Sequence, residues 1–110
     1  MAAEYFKHAD ALVVKPGKRL DTTTSPEIDR EITTRIEAGD IKIVFDFDAT
    51  DYVSSAGLRV MMKAAKTAGR LGGGVGLCNT NAHVREVLEL CGFMSLFKVG
   101  KNLDKTIGML

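Results

Sequence analysis

The chain has 110 residues, 45% of them hydrophobic and 26% charged, with a formal net charge of +1. That length makes one domain with a real core and leaves no room for a second. The balanced charge argues against direct nucleic-acid binding, and no apolar run is long enough for membrane insertion. The start, Met1-Ala2-Ala3-Glu4-Tyr5-Phe6-Lys7, lacks the apolar stretch of an export signal. With only two cysteines besides, the expectation is a cytoplasmic domain whose thiols stay reduced.

In chain order, Tyr5 and Phe6 begin a short first strand. Ala11 to Lys15 reads as a second, and Pro16-Gly17 suits a bulge or an edge position. Lys18-Arg19-Leu20 continues that strand towards Asp21. The run Thr22-Thr23-Thr24-Ser25-Pro26-Glu27 is a helix start, with Ser25 as N-cap, Pro26 at the first helical position and Glu27 and Asp29 in the first turn. Ile28, Ile32 and Ile36, spaced by four, form its apolar stripe, and Gly39 stops it. Ile41 to Phe47 reads as a half-buried or central strand.

Ala49-Thr50-Asp51 then leads into Tyr52-Val53-Ser54-Ser55-Ala56-Gly57-Leu58-Arg59. Leu58, Met61, Met62, Ala65, Ala68 and Leu71 follow at threes and fours, predicting a second helix from about Ser55 to Leu71. Gly72-Gly73-Gly74 ends it, and Val75 to Cys78 is the next strand. Asn79-Thr80-Asn81 caps a third helix with Val84, Val87, Leu88 and Cys91 on its apolar face, closed by Gly92. Leu96 to Val99 is the last strand, and Leu103 to Leu110 a final helix. Strands alternating with helices after the first pair call for a mixed sheet with right-handed crossovers. The expected core is Ile43, Phe45, Leu58, Met62, Val75, Leu77, Val87 and Leu88.

The strand-to-helix junction at Ser54-Ser55 is the strongest candidate site. Either serine can cap the helix by accepting a backbone N–H one turn in. Residues just after the cap sit at the positive end of the helix, where an added anion is tolerated. Asp21 follows a strand too, so it falls on the same edge of the sheet as the serines. The glycine triplet follows a helix and precedes a strand, the reverse of a phosphate loop, and reads as a C-cap and turn. Cys78 and Cys91 lack zinc spacing and read as buried small hydrophobes. His8 and His83 have no triad partner in the sequence, and Asp46, Asp48 and Asp51 do not have the spacing of a calcium loop. No catalytic group, cofactor or metal is expected.

Four stretches in register carry a family resemblance. They are Gly17-Lys18-Arg19-Leu20-Asp21 with a helix after it, Val53-Ser54-Ser55-Ala56-Gly57-Leu58, Gly72-Gly73-Gly74 before a strand ending in Cys78, and Val84-Arg85-Glu86-Val87-Leu88-Glu89-Leu90-Cys91-Gly92-Phe93. Over roughly Ala11 to Leu110 the chain resembles the STAS domain family, and within it the bacterial anti-sigma-factor antagonists. The resemblance implies a single α/β domain, with a mixed central sheet of about four to five strands and about four α-helices.

In that family the serine two residues before the motif glycine accepts phosphate from a partner that is both kinase and anti-sigma factor. Here that serine is Ser55, with Ser54 as runner-up. The family's best-understood switches carry aspartate where this chain has Ser54. The aspartate bordering the site falls on Asp21. The resemblance implies a non-enzymatic protein switch, and the expected partner surface is the loop of Asp21 and Thr22, the turn of Ser54, Ser55, Ala56 and Gly57, and the exposed face of the second helix, where Arg59 and Lys63, one turn apart, supply a charged rim. Its partners would be an anti-sigma factor of the serine-kinase type and a phosphoserine phosphatase. The alternative within the family is a STAS subunit of a lipid-transport or other signalling complex without sigma-factor control. An enzyme or small-ligand binder is disfavoured, because the sequence holds no nucleophile–base pair, metal cluster or cofactor loop.

Overall fold

The computed structural model describes residues 3–110. In chain order the elements are β1 (Glu4–His8), β2 (Ala11–Lys15), β3 (Arg19–Leu20), α1 (Ser25–Glu37), β4 (Lys42–Asp46), β5 (Tyr52–Val53), α2 (Ser55–Arg70), β6 (Gly74–Cys78), α3 (Ala82–Cys91), a 3-10 turn (Met94–Leu96), β7 (Lys98–Gly100) and α4 (Leu103–Gly108). Five strands form the main sheet in the order β1-β2-β4-β6-β7. The β1–β2 hairpin is antiparallel, and every other pair in this sheet is parallel. The expected mixed sheet and four helices are therefore present.

Alternation along the central strands builds the core. Leu12 pairs with Ile43, which pairs with Val75; Val14 pairs with Phe45, which pairs with Leu77. Side chains two apart on a strand share a face, so these residues make two layers across the sheet. The stripe of α1 (Ile28, Ile32, Ile36) and that of α2 (Leu58, Met61, Ala65, Ala68) belong to the same buried cluster. The opposite face, with Ala11, Val44 and Cys78, is covered by Leu103, Ile107 and Leu110 around α4. The central strands β2, β4 and β6 are thus buried on both faces, which explains why Ile43, Val44 and Phe45 are apolar in succession.

Several expectations are corrected. Arg19 and Leu20 do not extend β2. They pair in parallel with Tyr52 and Val53 in a separate two-stranded ribbon, β3–β5. Pro16 brings no N–H to a ladder and Gly17 turns the chain at φ 90°, so β2 cannot run on. At the start of α1 the N-cap position belongs to Thr24, and Ser25 is already helical, buried, with its hydroxyl unpaired. The last strand starts two residues later than expected, at Lys98, because Met94–Leu96 closes into a 3-10 turn. Within the core, Met61 is fully buried, whereas Met62 lies on the flank and Val87 is half-buried. Cys91 is exposed rather than buried. Residues 89–92 are all exposed, so the last turn of α3 overhangs the core that Val84 and Leu88 reach.

Candidate functional site

The small ribbon holds the site together. Tyr52 and Val53 bring the chain to the start of α2, while Arg19 and Leu20 deliver the Asp21 loop beside it. The Ser54 N–H donates to the Leu20 carbonyl at 2.9 Å, and the Asp51 N–H donates to the Lys18 carbonyl at 2.8 Å. Gly57 presses against this seam. A Cβ there would lie 2.4 Å from the Leu20 oxygen and 2.7 Å from Leu20 Cγ. The glycine of the Ser-Ser-Ala-Gly-Leu sequence is therefore a requirement of close approach between the first turn of α2 and the end of β3.

The two serines are not equivalent. Ser54 is the N-cap, in extended backbone geometry, and its Oγ accepts from the Gly57 N–H at 3.3 Å. Ser55 is the first helical residue and is exposed. A group added to its oxygen would project into solvent next to the unpaired N–H groups of the first turn. The capping hydroxyl of Ser54, by contrast, is committed to the backbone.

Asp21 is also committed. Its Oδ1 accepts from the N–H groups of Thr23 and Thr24 at 3.0 and 3.1 Å, and Arg19 Nε donates to its Oδ2 at 3.0 Å. Thr24 Oγ1 completes the loop by accepting from the Asp21 N–H and donating to the Arg19 carbonyl. The Arg19 bond first, and then the Thr24 N–H, hold the carboxyl below the usual aspartate range. Asp21 thus fixes the shape of the loop while remaining partly exposed.

Thr22, at the loop's tip, opens onto a groove of about 380 Å³ between the starts of α1 and α2. Ala56, Arg59 and Lys63 line the same groove. Of the residues expected to meet a partner, Thr22, Ala56, Arg59 and Lys63 are brought together on one surface. Asp21, Ser54 and Gly57 instead build the frame beneath it.

The defining pattern of the STAS domain matches residues 2–106. The chain belongs to the STAS family. Over 85 residues it is 35% identical to BtrV of Bordetella bronchiseptica, a protein named for anti-sigma factor antagonism, covering 77% of this chain and 73% of that one. The crystal structure of a Thermotoga maritima protein described in the same terms superposes with a TM-score of 0.91 at 19% identity, over 97% of this chain and 92% of that one. SpoIIAA in its unphosphorylated form gives 0.84 at 19% identity, over 98% and 95% of the two chains. A phosphorylated form of the Bacillus SpoIIAA has the same fold, with a TM-score of 0.78 at 18% identity over 98% of each chain.

Within this STAS domain one cluster escaped the sequence reading. The Arg19 guanidinium lies over the Tyr52 ring at 4.6 Å from its centroid, and His83 stacks with Tyr52 at 5.5 Å between centroids and 17° between planes. Thr50, buried, donates to the Gly17 carbonyl at 2.6 Å, and Asn81 Nδ2 donates to the Thr50 carbonyl at 3.0 Å. Together these contacts tie the start of α3 to the ribbon that carries the serine turn. His83, which has no partner visible in the sequence, is part of that brace. The only signal for it was the Arg19–Tyr52 register, which exists only once β3 and β5 pair.

The carboxyl ends of β4 and β6 are organised in a different way. Asp46, buried, accepts from the Asp48 N–H at 3.1 Å and from Asn79 Nδ2 at 2.9 Å. Asp48 pairs with Lys15 at 3.2 Å and Asp51 with Lys18 at 3.8 Å. The three aspartates therefore serve separate local contacts instead of converging. Burial, and then the Asp46 carboxylate, push the Cys78 thiol up to about 12, so this cysteine is a neutral, unreactive core residue.

Proposed function

We propose that this STAS domain is an anti-sigma-factor antagonist of the partner-switching type, and that Ser55 is its phosphorylation site. Unmodified, the domain binds an anti-sigma factor that is also an ATP-dependent serine kinase, and so frees the sigma factor. The binding surface comprises the Asp21–Thr22 loop, the Ser54-Ser55-Ala56-Gly57 turn and the adjoining Arg59 and Lys63. The antagonist has no catalytic task of its own, because ATP chemistry belongs to the partner. A phosphoserine phosphatase resets the switch.

The observation that carries this reading is the division of labour between the serines: Ser54 caps α2 while Ser55 stands exposed at its first position. A phosphoryl group on Ser55 adds about −1.5 to −2 charges at pH 7. The N-terminal dipole and free N–H groups of α2 would stabilise that charge within the domain. The partner surface, shaped for a neutral hydroxyl, would have to desolvate it. A cost of ~3 kcal/mol there weakens binding by about two orders of magnitude. The fold is retained and the complex is lost. The similarity to BtrV supports the antagonist role, and the existence of a phosphorylated form of SpoIIAA, a chain of the same fold, supports a phosphorylation switch.

The test is incubation with the anti-sigma kinase and ATP, followed by mass spectrometry of the tryptic peptide over residues 43–59. Phosphate on Ser55 is expected, with Ser55→Ala binding the partner but resisting modification and Ser55→Asp binding weakly. Phosphate on Ser54 would move the assignment by one residue. Intact binding with no phosphate on either serine would leave a regulator that works without this chemistry.

A further inference from the structure

The basic rim that Arg59 and Lys63 give the switch surface continues along the exposed face of α2. Arg59, Lys63, Lys66 and Arg70 follow at intervals of four, three and four, and all are exposed. The helix contains no aspartate or glutamate. Like charges at these spacings face one another and repel. Arg59 also stands near the positive end of the helix dipole, where a cation is disfavoured. Among the described residues, Lys63 is the one of the four that forms an ion pair, with Asp29 at 3.1 Å. The net charge of the whole chain is +1, so this strip is a local concentration of charge rather than a general basicity.

The strip also has a shaped floor. A hollow of about 490 Å³ lies along α2 between Arg59 and Arg70, with Met62 and Thr67 among its lining residues. It shares Arg59 and Lys63 with the groove that reaches Thr22 and Ala56 beside the serine turn. On the α1 side, Asp29 and Glu37 line a neighbouring hollow together with Lys63 and Thr67, so acids stand along one flank of the strip, while Lys66 and Arg70 form no ion pair among the described residues.

We infer that this face is a docking strip for an acidic segment of the protein partner, whose carboxylates sit over Arg59, Lys66 and Arg70 and whose apolar side chains rest on Met62. The strip deepens the partner-switching reading and rests on it. It extends the contact beyond the serine turn by two further helical turns. Met62 is half-buried and unbranched, so it adapts its shape to an apolar side chain laid on it. An anionic membrane fits less well. A helix that lies in a lipid surface inserts its apolar face, and here that face (Met61, Ala64, Ala65, Ala68) is spent in the core. Arg59 belongs to both functions. It lies one turn from Ser55, so a phosphoryl group there would draw the guanidinium to itself and away from the partner's acid.

The test uses the full chain and the double variant Lys66→Glu/Arg70→Glu, which alters neither the serine turn nor any buried residue. Far-UV circular dichroism and the melting midpoint should match those of the parent. Binding to the anti-sigma factor is then measured across a salt series. The double variant should bind about tenfold or more weakly and show a flatter dependence of log Kd on log salt, while Ser55 is still phosphorylated. Unchanged affinity and unchanged slope would overturn the strip and leave the partner-switching reading standing. If no anti-sigma factor binds the parent chain, the proposed function fails, and the strip is tested alone. Amide shifts on adding poly-L-glutamate should then cluster in residues 59–70 and be absent from the double variant. Shifts in that segment with phosphatidylglycerol vesicles only, or with neither probe, would overturn it.

Discussion

Replacing Gly57 by alanine separates helix propensity from tertiary contact, because the two predict opposite signs. In a helix interior alanine is better than glycine by about 1 kcal/mol, so on propensity the change should stabilise. In the structure the new Cβ would meet the Leu20 carbonyl oxygen at 2.4 Å and Leu20 Cγ at 2.7 Å. Neither atom can move freely: Leu20 is fully buried, and its carbonyl accepts from the Ser54 N–H at 2.9 Å. Overpacking of this kind costs ~1–3 kcal/mol, and weakening the backbone bond adds about 1 kcal/mol. Subtracting the propensity gain leaves a net loss of about 1–3 kcal/mol. At ~4–8 °C per kcal/mol, the melting midpoint should fall by at least about 4 °C. Gly69, in the same helix, provides the control. A Cβ there meets nothing within 4 Å, so Gly69→Ala should raise the midpoint by a few degrees. Both midpoints come from one set of thermal melts. If Gly57→Ala melts as high as Gly69→Ala, the Leu20 seam does not position the serine turn and the account of the motif glycine is wrong.

The serines should separate in stability as they do in chemistry. Ser54→Ala loses the cap and about 1 kcal/mol in urea unfolding, whereas Ser55→Ala should stay within ~0.5 kcal/mol of the parent. Thiol titration of the native chain should find one fast cysteine, Cys91, and one, Cys78, that reacts only in denaturant; two fast thiols would contradict the packing of β6 under α4. At high pH the fold should weaken. Burial raises Cys78 from 9.0 to about 12, and burial, then Glu31 and Glu27, raise Tyr5 from 10.0 to about 12. Both groups are kept neutral by the fold, so their contribution is complete below the unfolded values and is lost as pH climbs from 9.0 or 10.0 to about 12. A urea midpoint that stays flat across that window would refute the assignment. Phe45→Ala, at the centre of the sheet, should cost ~3–5 kcal/mol, read as a lower denaturant midpoint at similar slope.

Periodicity alone determined most of the architecture. The isoleucines of α1 at spacing four and the apolar face of α2 are long, regular patterns, and each could form only one kind of element against a sheet. The Ser54-Ser55 junction was legible for the same reason, since a polar pair between an apolar strand and an amphipathic helix marks a cap wherever it occurs. Pairing across long sequence distances was not legible. Arg19–Leu20 and Tyr52–Val53 are two residues each, too short for any period, and they become strands only because they find one another. That pairing then sets Leu20 against residue 57, which is why glycine stands there, and sets Tyr52 beneath Arg19, where His83 stacks on it. The Cys91 expectation failed on the same ground. Helical phase places a side chain on a face, but how far the core extends beneath that face is set by the neighbouring elements, and α3 runs past their edge.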